Sequence, residues 1–165
     1  MTSYYHMSAK RLCLADIISG NGKDKIDPRI ENELEARRPA LALSRRDAVF
    51  MRPSTDFSRC GILSDGYIYS VMPERAPQHY DLNWIGPMQL ALLKEKHGAA
   101  HPAFGRYPDW SPDLIEQCCS GYWSGAASSS PVWECLAPAA TVIAILSDRP
   151  VSVTETRGGW PPASP

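Results

Sequence analysis

Apolar positions along this chain follow two rhythms, and the switches between them mark out the elements. The opening TSYYHM is short and aromatic and reads as a strand, followed by SAKRLCLADIISGNG. There Ser8 can cap a helix that places Leu12, Ala15 and Ile17 or Ile18 on one face, with Gly20 and Asn21-Gly22 as its stop. DPRIENELEARRPA carries a proline at an early helical position, acids in its first turns and arginines in its last, the order that complements a helix dipole; Pro39 ends it. AVFM is a short apolar run of strand type closed by Arg52-Pro53, and PSTDFSRCG suits a turn or short helix capped by Ser54 or Thr55, with Asp56 as a turn or cap residue. GYIYSVMP reads as another strand.

The helical rhythm returns in WIGPMQLALLKEKHG, with Ile85, Met88, Leu92 and Leu93 apolar, and again in SPDLIEQCCSGYW, capped by Ser111 and ending at Gly121. Between them AAHPAFGRYPDWSP is rich in proline and aromatics, as an ordered loop would be. GAASSSP is a small-residue loop, VWECL and TVIAIL read as strands separated by APAA, and VSVTET as an edge strand. Strands and helices mixed without regular β-α-β alternation indicate an α+β fold. The expected organisation is a single domain over residues 1–148, with residues 149–165 forming an edge strand, a flexible tail, or both.

A chain of 165 residues can bury a core without disulfide staples. A net charge of −1 gives no overall basic footprint for nucleic acid, although Arg37, Arg38, Arg45, Arg46 and Arg52 form a local basic cluster. The five cysteines, Cys13, Cys60, Cys118, Cys119 and Cys135, are an odd set without a C-x-x-C, which fits buried free thiols better than a disulfide framework or a zinc site. The N-terminus lacks a signal-peptide pattern and no window suits a membrane span, so a cytoplasmic protein is expected, with signal-independent export left open. Neither G-x-G-x-x-G nor G-x-x-x-x-G-K-[ST] occurs, which removes the usual glycine loops for nucleotides. His79, His97 and His101 make no metal spacing, and no metal is expected.

Three polar positions stand where a core would not ask for them. His6 lies in the first strand, Ser44-Arg45-Arg46 leads into AVFM, and Glu134 opens a late strand at the mouth of an apolar stretch. Each has a plain reading: a satisfied strand histidine, a solvated connection, a strand-end carboxylate in water. An ionised carboxylate buried without a partner is costly, so Glu134 is either at a rim or employed.

YYHMSAKRLCLADIISGNG, ALSRRDAVFMRPS and YWSGAASSSPVWECLAP, in that order, resemble the His-Tyr-Glu, diphtheria-toxin-like branch of the ADP-ribosyltransferase superfamily, over roughly residues 4–146. The resemblance implies a split mixed or antiparallel sheet with flanking helices, and NAD as ADP-ribose donor. It implies that His6 bonds a ribose hydroxyl, that Ser44 and Arg45 meet the nicotinamide ribose or pyrophosphate, and that Phe50 stands for the family's stacking tyrosine. Tyr67 and Tyr69 compete for that stacking role. Glu134 would be the catalytic residue, holding the ribose 2′-hydroxyl and stabilising the oxocarbenium-like cation, with Trp123 and Trp133 as walls.

The resemblance also implies a macromolecular acceptor, protein or nucleic acid, and the setting of a bacterial toxin or defence effector with a neutralising antitoxin or immunity protein. Two other functions fit the same chain. One is a non-catalytic domain that binds a partner through AFGRYPDWSP; the other is an NAD glycohydrolase that uses water as acceptor.

Overall fold

A computed structural model describes residues 3–23, 25–59, 65–98 and 104–159. Among these residues eight strands, β1 (Tyr4–Ser8), β2 (Ile17–Ser19), β3 (Val49–Met51), β4 (Asp65–Pro73), β5 (Gln78–Asp81), β6 (Trp133–Ala137), β7 (Ala139–Ile145) and β8 (Val151–Ser152), form two antiparallel sheets. The larger sheet runs β1-β4-β7-β2, with β8 also pairing with β4, and the smaller runs β3-β6-β5. Three helices among the described residues complete the α+β fold: α1 (Pro28–Ala36), α2 (Gly86–His97) and α3 (Pro112–Trp123). None of the described helices is long and apolar enough to cross a membrane.

Strand periodicity explains the layering. In β3 and β6 one set of alternate residues, Val49, Met51, Cys135 and Ala137, meets Tyr69, Val71, Ala140 and Val142 of the larger sheet. The other set, including Phe50 and Leu136, faces Ile30 and Leu34 of α1, Met88 of α2, and Ile115 and Cys119 of α3. The small sheet is thus sandwiched between helices and the larger sheet. Glu134, two residues before Leu136, shares the helix-facing side of β6.

Helix ends are fixed locally. Asp27 accepts from Arg29 N and Ser111 from Leu114 N, each followed by a proline at the start of the helix. At Gly121 a Cβ would come within 2.4 Å of the Trp84 ring, so glycine lets α3 lie flat on that indole. The helix therefore runs through Gly121 to Trp123 instead of stopping there.

The two sheets meet edge to edge at one point. Tyr5 and Arg52 exchange both backbone hydrogen bonds, each 2.8 Å. In that antiparallel register Met7 would next oppose Phe50, but the strands part. The Phe50 carbonyl is met instead by Nδ1 of His6 at 2.8 Å. A side chain thus takes over from the ladder where the sheets split.

Several expectations need correction. Residues 9–19 form no helix: Ala15 sits at φ 66°, the left-handed region, and Asp16 turns the chain by accepting from Cys13 N at 2.8 Å. Leu12 and Ile18, which suit a helical face, lie on either side of the turn at Ala15, and both pack against the larger sheet's core. Of the turn or short helix offered for the stretch after Pro53, turns hold the described residues, with Asp56 accepting from Ser58 N. β5, QHYD, has no apolar run and went unseen; it is an edge strand held by β6. Only Pro138 separates β6 from β7, and VSVTET is a two-residue strand followed by a 3-10 turn over Val153–Thr156. Cys13 is exposed, whereas Cys118, Cys119 and Cys135 are buried free thiols. Burial pushes the Cys119 and Cys135 thiols up to about 12. Cys60, His101 and the tail residues 160–165 lie outside the described residues.

Candidate functional site

Where β1 and β3 diverge, a cavity of about 320 Å³ opens. Its lining includes His6 from β1, Phe50 and Arg52 around β3, Glu134 from β6, Lys25 from the segment before α1, and Leu82. Three residues singled out in the sequence, His6, Phe50 and Glu134, therefore border one space. Ser44 and Arg45 do not line it. The Ser44 hydroxyl donates to Glu35 Oε1 at 3.1 Å, and Arg45 is wholly buried behind Glu134.

Arg45 is the hub of a buried cluster. Its Nε donates to Glu31 Oε1 at 2.8 Å, and its Nη1 donates to the Tyr122 hydroxyl oxygen at 2.6 Å and to Glu134 Oε1. The Tyr122 hydroxyl donates in turn to Glu134 Oε1. Burial pushes the Tyr122 phenol well above its ordinary value, although Arg45 opposes the shift, so the proton needed for that bond stays in place. The guanidinium carbon lies 4.8 Å from the centre of the Phe50 ring and 5.3 Å from that of Tyr122. Glu31 completes the cluster by accepting from Lys25 N at 3.0 Å, which ties the cluster to a cavity-lining segment.

The two oxygens of Glu134 differ. Oε1 has two donors, whereas Oε2 has no hydrogen-bond partner among the described residues, although the residue is only 2% exposed. A buried carboxylate oxygen in that state costs free energy unless something binds it. The only large empty space that Glu134 borders, among the described cavities, is the one it shares with His6 and Phe50.

His6 is tuned by the same geometry. The Phe50 carbonyl can only accept, so Nδ1 of His6 carries the proton and Nε2 is left as an acceptor in the neutral ring. Burial lowers its pKa; the Phe50 hydrogen bond opposes the shift and the nearby Lys25 charge adds to it. Lys25 Nζ donates to Asn21 and sits 5.9 Å from the centre of the Phe50 ring.

Glu134 is held in place from its N-terminal side by Asp81. That buried carboxylate accepts from Val132 N and Ser128 N, both at 2.7 Å, and from Asn83 N at 2.9 Å. It thereby fastens the small-residue loop that leads into β6. Burial alone would raise the Asp81 pKa, but these hydrogen bonds outweigh it and hold the group below the usual value.

The remaining candidates lie elsewhere. Tyr69 is fully buried, its hydroxyl accepting from Leu12 N at 2.8 Å, and Tyr67 packs on the larger sheet's core, so neither borders the cavity. Trp123 stands behind Tyr122, edge-on at 4.8 Å, and Trp133 is likewise absent from the lining. Sequence reasoning missed Lys25, Glu31, Asp81 and Tyr122. Glu31 did leave a trace: it stands beside Ile30 and one turn from Leu34 on the buried arc of α1, where a charge calls for a partner. A scan against protein-family models and searches of curated proteins and of solved structures found no match to the chain.

Proposed function

We propose that this chain is an NAD-dependent mono-ADP-ribosyltransferase built on the split sheet of the ADP-ribosyltransferase superfamily. The observation that carries the reading is the shared cavity at the parting of β1 and β3. It brings together the histidine, the aromatic ring and the glutamate that the family resemblance picks out, with one oxygen of that glutamate unpartnered among the described residues. A cavity of about 320 Å³ is at the lower end of ligand-site sizes, ~300–1,000 Å³, and suits the nicotinamide-ribose end of a dinucleotide.

In this reading Phe50 supplies the aromatic wall for nicotinamide and neutral His6 accepts a ribose hydroxyl at Nε2. Lys25, in place of Arg45, is the cation that meets the phosphates. Glu134 binds the 2′-hydroxyl through Oε2. As the C1′–N bond breaks, nicotinamide leaves with the bonding electron pair, and the carboxylate stabilises the positive charge left on the ribose. The acceptor nucleophile closes on C1′ and loses its proton to Glu134 or to water.

Transferase, glycohydrolase and non-catalytic readings separate in one experiment. NAD labelled in its adenylate phosphate is incubated with the protein and a cell extract divided into protein and nucleic-acid fractions. Label on one macromolecular fraction is the expected result. Label found only in free ADP-ribose would make water the acceptor, and unchanged NAD in every mixture would refute the enzymatic reading.

A further inference from the structure

We infer that Arg45 and Tyr122 are positioning residues for Glu134: together they hold Oε1, keep the carboxylate ionised, and leave Oε2 as the oxygen open to a ligand. This rests on the proposed reaction only for its catalytic consequence; the geometry stands without it. Both donors converge on the same oxygen, Oε1, and Oε2 receives none among the described residues. A symmetric, bidentate arginine–carboxylate fork would instead engage one lone pair on each oxygen and make the two oxygens alike. Here one oxygen is fully engaged, which also fixes the rotation of the carboxylate about its Cγ–Cδ bond.

Arg45 is itself immobilised. Glu31 holds Nε, the Phe50 and Tyr122 rings lie near its guanidinium, and no part of it reaches solvent. An arginine so placed cannot contact a ligand without dismantling the cluster, so it acts through Glu134. The other charged or titratable groups around Glu134 are few. Tyr80 opposes it on β5, with its hydroxyl bonded to Gln78, and His6, Lys25 and Arg52 line the cavity that Glu134 borders. Within the buried cluster two carboxylates face one guanidinium. The cluster alone therefore carries a net negative charge, set against Lys25 and Arg52 on the cavity wall, and its Glu134 end faces the positive charge that the proposed reaction creates at C1′.

A merely structural ion pair would affect folding and nothing else. Tyr122→Phe removes one donor to Oε1 while keeping the ring, and Arg45→Lys keeps the charge but loses the fork. The direct readout is the carboxyl-carbon NMR titration of Glu134 in the full chain, assigned with Glu134→Gln. The Glu134 titration midpoint is expected to rise by about one pH unit in folded Tyr122→Phe. Identical midpoints in the wild type and Tyr122→Phe would overturn the inference, whether or not the protein cleaves NAD. If nicotinamide is released, kcat should fall at least about tenfold at pH 7 in Tyr122→Phe, and the acidic limb of its pH profile should move upward. KM for NAD should stay within about twofold. A change confined to KM would instead make Arg45 and Tyr122 ligand contacts. Should Arg45→Lys fail to fold, the Tyr122→Phe titration decides the matter alone.

Discussion

At the scale of single residues, the site depends on protons being where hydrogen bonds demand them. His6 donates from Nδ1 to a carbonyl and is kept neutral by burial. Its folded pKa lies below the ordinary 6.5, so between the two values the unfolded chain holds the proton and the folded chain does not. The contribution of His6 is complete above about pH 6.5 and is lost as pH falls below that value. Urea midpoints measured at pH 7.5 and pH 5.5 should therefore drop more steeply for the wild type than for His6→Gln. Equal drops would show that His6 titrates alike in both states. The same protonation logic bears on the proposed reaction, in which a protonated ring would have no acceptor left for a ribose hydroxyl.

At the scale of elements, the placement of Glu134 is the product of strands and caps acting together. The parity of β6 puts it on the helix side, its pairing with β5 sets its height opposite Tyr80, and Asp81 fastens the loop before it. Replacing Asp81 by asparagine keeps the shape but removes the charge that gathers these N–H donors. Chemical denaturation should show a loss of about 1–3 kcal/mol. In the proposed reaction nicotinamide release should slow as well, because the start of β6 loses its tether. Unchanged stability would mean that the loop is held by β5–β6 pairing without Asp81. The folded pKa of Asp81 is depressed, so its stabilisation is present at neutral pH and disappears as acid protonates it below the usual carboxylate range.

Elements with strong local signals were legible in the sequence. Proline after a cap residue announced α1 and α3, and apolar runs announced β3, β4, β6 and β7. The failures share a cause, which is that the deciding partner is distant in sequence. Residues 9–19 fit a helical face, yet Ala15 N donates to Val142 O and Leu12 N to the Tyr69 hydroxyl. QHYD is a strand because β6 lies beside it. Arg45 stands out in the sequence, but its place in the fold does not. From sequence it is an arginine before a strand, suited to phosphate; its burial becomes visible only once Glu31 and Tyr122 close around it.

At the scale of the whole molecule, the split between the two sheets creates the cavity, and the cluster behind Glu134 ties its walls together. Arg45 bridges α1, through Glu31, to α3, through Tyr122, and to β6. The small sheet is therefore clamped from the helix side while its other face packs on the larger sheet. The larger sheet's outer surface exposes Ile17, Met72, Ile143 and Ile145 and takes no part in that clamp. What the fold achieves is one cleft with a neutral imidazole on β1, an aromatic ring on β3 and a half-partnered carboxylate on β6.

In the proposed reaction this carboxylate drives cleavage of the nicotinamide–ribose bond. Its most direct test is the rate of nicotinamide release from NAD by the wild type and by Glu134→Gln, a substitution that keeps size and hydrogen bonding but removes the charge. The wild type should release nicotinamide, and the variant should do so at least about a hundredfold more slowly, with NAD still bound. Equal release by the two proteins, or none by the wild type in the presence of protein and nucleic-acid acceptors, would contradict it.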